Sequence, residues 1–249
     1  MSDLFGATRT VIKARCALLA SDSAMARSLP GWKAAACVVS ISPALLGPRF
    51  TQLQITLKRD GVGEGNTGPN QYFIYVLDGA GTIDLAQKRH RLEPGSFVYL
   101  PPGSDLQLKN SQAASLQLLV FQKRYLALRG VAAPEPLLSH EREIRGEPDR
   151  RNEAVTMQRL LPEAPAFDLA IHRVTYAPGA LIPAVECHGT ERGLALICGQ
   201  GICRLAEEFY PVQTGDAIWL GAGCPYWFAP LGRVPATWIG CHEAHRDPM

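Results

Sequence analysis

The chain has 249 residues, 47% hydrophobic and 19% charged, with 25 Lys and Arg against 23 Asp and Glu for a formal net charge of +2. That length implies two domains of about 120 residues, and basic residues scattered rather than clustered exclude the usual nucleic-acid footprint. No stretch reaches the roughly 18 apolar residues of a membrane span, and Met1-Ser-Asp-Leu-Phe-Gly-Ala7 lacks the apolar centre of a secretory signal.

A soluble, cytoplasmic protein is therefore expected, with no membrane partner. Seven cysteines, at 16, 37, 187, 198, 203, 224 and 241, are odd in number and form no CxxC. This disfavours a disulfide framework and predicts buried free thiols.

Along the chain, residues 9–15 read as a strand, 21–29 are more polar, and Pro30-Gly31 marks a turn. Residues 36–42 and 50–57 carry β-branched side chains in partial alternation, the strand signature. Residues 61–70, with four glycines and a proline, predict a loop. Two further stretches, 72–85 and 92–103, are short strands broken by Gly and Pro, which argues an all-β sandwich or barrel.

An internal repeat fixes the organisation. A constant offset of 120 residues carries Gly79 and Gly81 onto Gly199 and Gly201, Gly95 onto Gly215, Tyr99 onto Trp219, Leu100 onto Leu220 and Gly103 onto Gly223. The chain is two copies of one β-domain, expected at 1–129 and 166–249. Between them 130–165, rich in Pro, Glu and Arg, predicts a solvated connector with a short helix near 155–161. His140 in it is expected to be solvated, and His90 and His172, on strands, to be surface or packing residues.

Candidate chemistry lies in the second copy. Glu186 and His188 are two apart, so on a strand they project to one face, and a carboxylate converging with an imidazole begins a divalent-metal site. The first copy has Asn66, Gly68 and Tyr72 where the second has Glu186, His188 and Arg192, and Leu106 for Tyr226. It is expected to be structural.

The segments Tyr176-Ala-Pro-Gly-Ala180, Glu186-Cys-His188, Gly199-Gln-Gly201, Tyr210-Pro-Val-Gln-Thr-Gly-Asp216, Cys224-Pro225, Phe97-Val-Tyr-Leu-Pro-Pro-Gly103 and the terminal His245-Arg-Asp-Pro resemble the (S)-ureidoglycine aminohydrolase family. The resemblance spans nearly the whole chain. It implies two tandem cupin barrels (double-stranded β-helix, or jelly-roll) and hydrolysis of ureidoglycine to ureidoglycolate and ammonia in ureide catabolism. It further implies a manganese ion in the second cupin, held by a glutamate, two histidines and a glutamine, with two tyrosines and a lysine on the substrate.

Carried over by position, Glu186 and His188 match the glutamate and first histidine, and Glu186 is the candidate for proton transfer. Arg192 stands for the second histidine and Tyr226 for the glutamine. The substrate positions are Cys203, Trp238 and His242.

Three arrangements fit these residues. In one, manganese is retained against Arg192, whose charge at about 4 Å would oppose a divalent ion by roughly 8 kcal/mol for an effective dielectric near 20. In another, Arg192 pairs with Glu186 and the barrel holds no metal, leaving a cupin that binds a small carboxylate. In the third, His188, His242 and a cysteine take zinc or another soft metal. The expected ligand is a small ureide or carboxylate. Exposed sheet edges favour a homo-oligomer.

Overall fold

The computed structural model describes residues 8–244, apart from the side chains of residues 45 and 46. The terminal His245-Arg-Asp-Pro motif lies outside the described residues. The first strands are β1 (Val11–Lys13) and β2 (Cys16–Leu19). Then follow β3 (Trp32–Ile41), β4 (Phe50–Asn66), β5 (Asn70–Asp78), β6 (Gly81–Leu85), β7 (Lys88–Leu92), β8 (Ser96–Leu100), β9 (Asp105–Lys109), β10 (Leu116–Arg124) and β11 (Leu137–His140). The rest of the chain supplies β12 (Glu147–Asp149), β13 (Asn152–Arg159), β14 (Leu169–Tyr176), β15 (Glu186–Cys187), β16 (Arg192–Cys198), β17 (Gln200–Leu205), β18 (Glu208–Gln213), β19 (Ala217–Leu220), β20 (Pro225–Leu231) and β21 (Ala236–Glu243). No helix among the described residues is long and apolar enough to cross a membrane.

The expected all-β architecture of two tandem cupin barrels is what the strands form. One unit holds Met25–Glu143 and Ala164–Asp168; the other holds the chain up to Ala24, Ile144–Glu163, and everything from Leu169 on. In the latter, an eight-stranded sheet of order β1-β2-β19-β16-β21-β14-β13-β12 faces a four-stranded sheet of order β15-β20-β17-β18. Leu194, Leu196, Ile218 and Trp238 of the first sheet share one core with Cys203, Leu205, Val212 and Phe228 of the second. Alternation puts these residues inward because a strand's successive side chains point to opposite faces.

The 120-residue repeat holds at the level of single hydrogen bonds. β5 pairs with β8 through Tyr72↔Leu100, and β16 with β19 through Arg192↔Leu220. The bulge where β10 crosses β5 recurs where β21 crosses β16. Gly95 donates its N–H to the Val76 carbonyl at 2.9 Å, and Gly215 to the Leu196 carbonyl at 2.8 Å. Both glycines are left-handed, at φ 89° and 94°, a conformation only glycine enters without strain.

Four local expectations are corrected. The domain boundaries differ from 1–129, 130–165 and 166–249: β1 and β2 join the sheet of the later copy through β19, as do β12 and β13 through β14. No helix forms near 155–161. Val155 and Thr156 are β-branched, and β13 finds a strand on each side, so sheet pairing overrides the local pattern. The loop expected at 61–70 shrinks to 67–69, because β4 bends at Asp60 (φ 60°) and Gly61 and its far half pairs with β9. His140 sits in β11 with a side chain only 15% exposed, hydrogen-bonded to the Pro94 carbonyl.

Candidate functional site

The candidate residues gather at one end of the second barrel. On β16, Leu194 and Leu196 belong to the core, so Arg192, two residues before Leu194, shares their barrel face. Register places Arg192 beside His242 of β21 and Glu186 of β15 beside Tyr226 of β20. His242 stacks on His172 of β14, with ring centroids 5.0 Å apart and planes 11° from parallel.

Glu186 and His188 converge as the spacing predicts, though β15 ends at Cys187 and His188 follows it in a turn. His188 Nε2 lies 3.4 Å from Glu186 Oε2, and Arg151 Nη2 donates to Glu186 Oε1 at 2.5 Å. Arg151 is braced in turn by Asp149 at 3.0 Å. The hydrogen bond from His188 and the Arg151 guanidinium outweigh burial and hold the Glu186 carboxyl below its ordinary value. The carboxylate stays ionised.

The arginine that pairs with Glu186 is thus Arg151, and Arg192 has no ion pair among the described residues. Burial lowers the pKa of the Arg192 guanidinium against the opposing pull of Glu186 and Tyr226. Its Nε is buried with no hydrogen-bond partner among the described residues. An arginine remains cationic in such a setting. The same burial, with Arg192 nearby, pushes the His172 pKa down to about 4, so that ring is neutral.

Cys203 and Trp238 lie deeper. Cys203 is fully buried beside the Tyr226 hydroxyl, and desolvation drives both groups well above their ordinary pKa values. Cys16 is raised to about 11 by burial and by Cys224. These thiols are inert and protonated. Trp238 packs edge-on against Phe228 at 5.2 Å, and Phe228 against Tyr176 at 5.0 Å, so aromatic rings fill the barrel below the charged groups.

Sequence reasoning missed Arg151, gave His172 as a surface or packing residue, and named Tyr176 only within the family resemblance. The alternation of His172, Val174 and Tyr176 along 167–176 was a usable signal for the last two. Nothing marked Arg151, which sits in a run of charged residues indistinguishable from a solvated connector.

The donors present do not fit a manganese ion. Both Glu186 oxygens are engaged, His188 is the one imidazole beside them, and Arg192 contributes positive charge at the position of the third ligand. No group of three or more His, Cys, Asp or Glu among the described residues is placed to hold a metal ion, which also leaves no zinc set of His188, His242 and a cysteine.

Residues 55–121 match the family model described as a cupin domain. Over its whole length the chain is 32% identical to an (S)-ureidoglycine aminohydrolase of Arabidopsis thaliana, covering 82% of it. It is 30% identical to the (S)-ureidoglycine aminohydrolase of Escherichia coli strain K12, across 97% of this chain and 93% of that protein. The crystal structure of protein Ylba from E. coli superposes with a TM-score of 0.87 at 27% identity, covering 98% of this chain and 97% of that one. Bacillus subtilis oxalate decarboxylase shares the fold, with a TM-score of 0.71 at 12% identity over 94% of this chain and 78% of that one.

Proposed function

Because this chain belongs to the (S)-ureidoglycine aminohydrolase family, we propose that it acts on ureidoglycine or a close ureide carboxylate in its second cupin, with Arg192 as the fixed positive charge in place of a divalent ion. One observation carries this reading: a half-buried guanidinium on the barrel face whose buried Nε has no hydrogen-bond partner among the described residues. A substrate carboxylate would complete it, and arginine grips carboxylates through paired N–H donors.

In aminohydrolysis water adds at the carbon that loses ammonia, so a base must take a proton and an acid must deliver one. Glu186 is ionised and Arg151 fixes its orientation, and each of its oxygens keeps one lone pair beyond the Arg151 and His188 contacts with which to accept the water proton. His188 at 3.4 Å is the adjacent group able to pass a proton on. Tyr226, kept protonated by burial, supplies a neutral donor to the substrate. All seven cysteines are free, which supports a reducing, cytoplasmic setting.

Ammonia release from ureidoglycine by chelator-treated protein tests the proposal. Turnover should survive chelation, fall about 10²-fold or more in Glu186→Gln, and be lost with substrate binding in Arg192→Ala. Carboxylate binding with no ammonia release would assign the chain instead as a binding cupin. Turnover abolished by chelation and restored by manganese would overturn the role given to Arg192.

A further inference from the structure

The first barrel has neutral residues where the second has charged ones, with Asn66 and Tyr72 for Glu186 and Arg192. A cavity of about 510 Å³ opens at the same end of it, lined by Arg27, Trp32, Thr51, Tyr72, Leu106 and Gln122 among others. That volume is in the range of small-molecule sites, which are mostly apolar with a few convergent polar groups.

The polar groups are placed by strand alternation. Thr51 of β4, Tyr72 of β5 and Gln122 of β10 are each two residues from a core side chain, Leu53, Ile74 and Val120. They therefore project from the barrel face at its open end, over an apolar floor. None of the three has a side-chain hydrogen bond among the described residues. Partly exposed to the cavity, they are available to hydrogen-bond whatever enters it.

The walls are built as well. Trp32 is 8% exposed and rests on Gly63, where an added Cβ would come within 2.5 Å of the indole. Gly31, at φ 80°, accepts the Glu64 N–H at 2.7 Å and turns the chain across the opening. Glu64, also in the lining, forms an exposed ion pair with Lys33. Backbone hydrogen bonds between Arg27 and Cys37, at 2.8 and 3.0 Å, fix Arg27 at the rim, and its guanidinium has no ion pair among the described residues.

We propose that the first cupin is a second ligand site, taking a small carboxylate whose body is a planar amide or ureide. The carboxylate meets Arg27. The planar group lies against Trp32 and exchanges hydrogen bonds with Thr51, Tyr72 and Gln122, which can each donate and accept.

The test is calorimetric titration of the full chain carrying Arg192→Ala with N-carbamoylglycine, a stable ureido carboxylate. One saturable site per chain should remain, about tenfold weaker on adding Tyr72→Phe or Gln122→Leu. The change in tryptophan emission on binding should vanish in Trp32→Phe. A crystal soaked with the same probe should place it against Tyr72 and Gln122, a readout that does not depend on how the variants fold. No saturable binding, an affinity indifferent to both substitutions, or density elsewhere would overturn the proposal. Because Tyr72 and Gln122 lie in the first cupin, loss of affinity on their substitution reports this site whatever the role of Arg192 in the second.

Discussion

Arg192 is a half-buried charge whose Nε has no hydrogen-bond partner among the described residues, a desolvation cost that a bound carboxylate would offset. Arg192→Met should therefore leave the unliganded protein as stable or up to about 2 kcal/mol more stable in urea denaturation, while abolishing carboxylate binding. A loss of stability would mean that Arg192 is a structural cation. His172 gives a second prediction. Its folded pKa of about 4 lies below that of the unfolded ring, about 6.5. The unfolded state alone takes up the proton between those values, so stability is full above pH 6.5 and falls as pH drops toward 4, by an amount of order 3 kcal/mol. Facing it are Arg192, Arg159, Glu163 and the stacked His242. Denaturation of His172→Phe at pH 4.5 and 7 should show that part of the slope removed. At this scale the convergence of Glu186 and His188 was legible from spacing, whereas Arg192 and Tyr226 were pointed to only by the family resemblance. Arg151 was not legible, because the pairing that decides which arginine meets Glu186 depends on a strand no local pattern announced.

Strands β1 and β2 show why the element boundaries were harder to read. β1 pairs with β2, but the strand that β2 joins, β19, lies some two hundred residues away, and pairing at that separation leaves no local trace. What fastens them is Asp216, fully buried where the first copy has Ser96. It accepts hydrogen bonds from Arg9 at 2.5 and 3.0 Å, from the Ser21 backbone at 2.8 Å and hydroxyl at 3.0 Å, and from the Gln213 backbone at 2.8 Å. Arg9→Ala leaves Asp216 its Ser21 and Gln213 donors but removes its charged partner, and should cost about 1–3 kcal/mol and expose the segment before Ala24 to limited proteolysis. Asp216→Asn, which keeps shape and some acceptors, should cost less. Equal protease resistance in Arg9→Ala and the parent protein would refute the clamp. The helix expected near 155–161 failed for a related reason: tertiary pairing of β13 with β12 and β14 outweighed a weak local preference.

The whole molecule is one β-domain used twice, and that was the most legible feature, because a constant offset carries the turn glycines Gly79, Gly95 and Gly103 onto Gly199, Gly215 and Gly223 and with them the strand register. The duplication also frames the chemistry. Asn66 and Tyr72 of the first copy stand where the second has Glu186 and Arg192, and the first-copy pair lines a cavity of its own, which is why the two barrels are assigned different ligand chemistry. What the offset alone did not reveal is how the charged end is wired, with Glu186 tied to Arg151 and His188 and Arg192 left over. The central claim, that a guanidinium replaces a metal in the second barrel, is tested most directly by elemental analysis of protein purified without chelator, beside its Arg192→His, Tyr226→Gln double variant. The account predicts no stoichiometric divalent metal in the parent and uptake of manganese by the variant. One manganese per chain in the parent would contradict it.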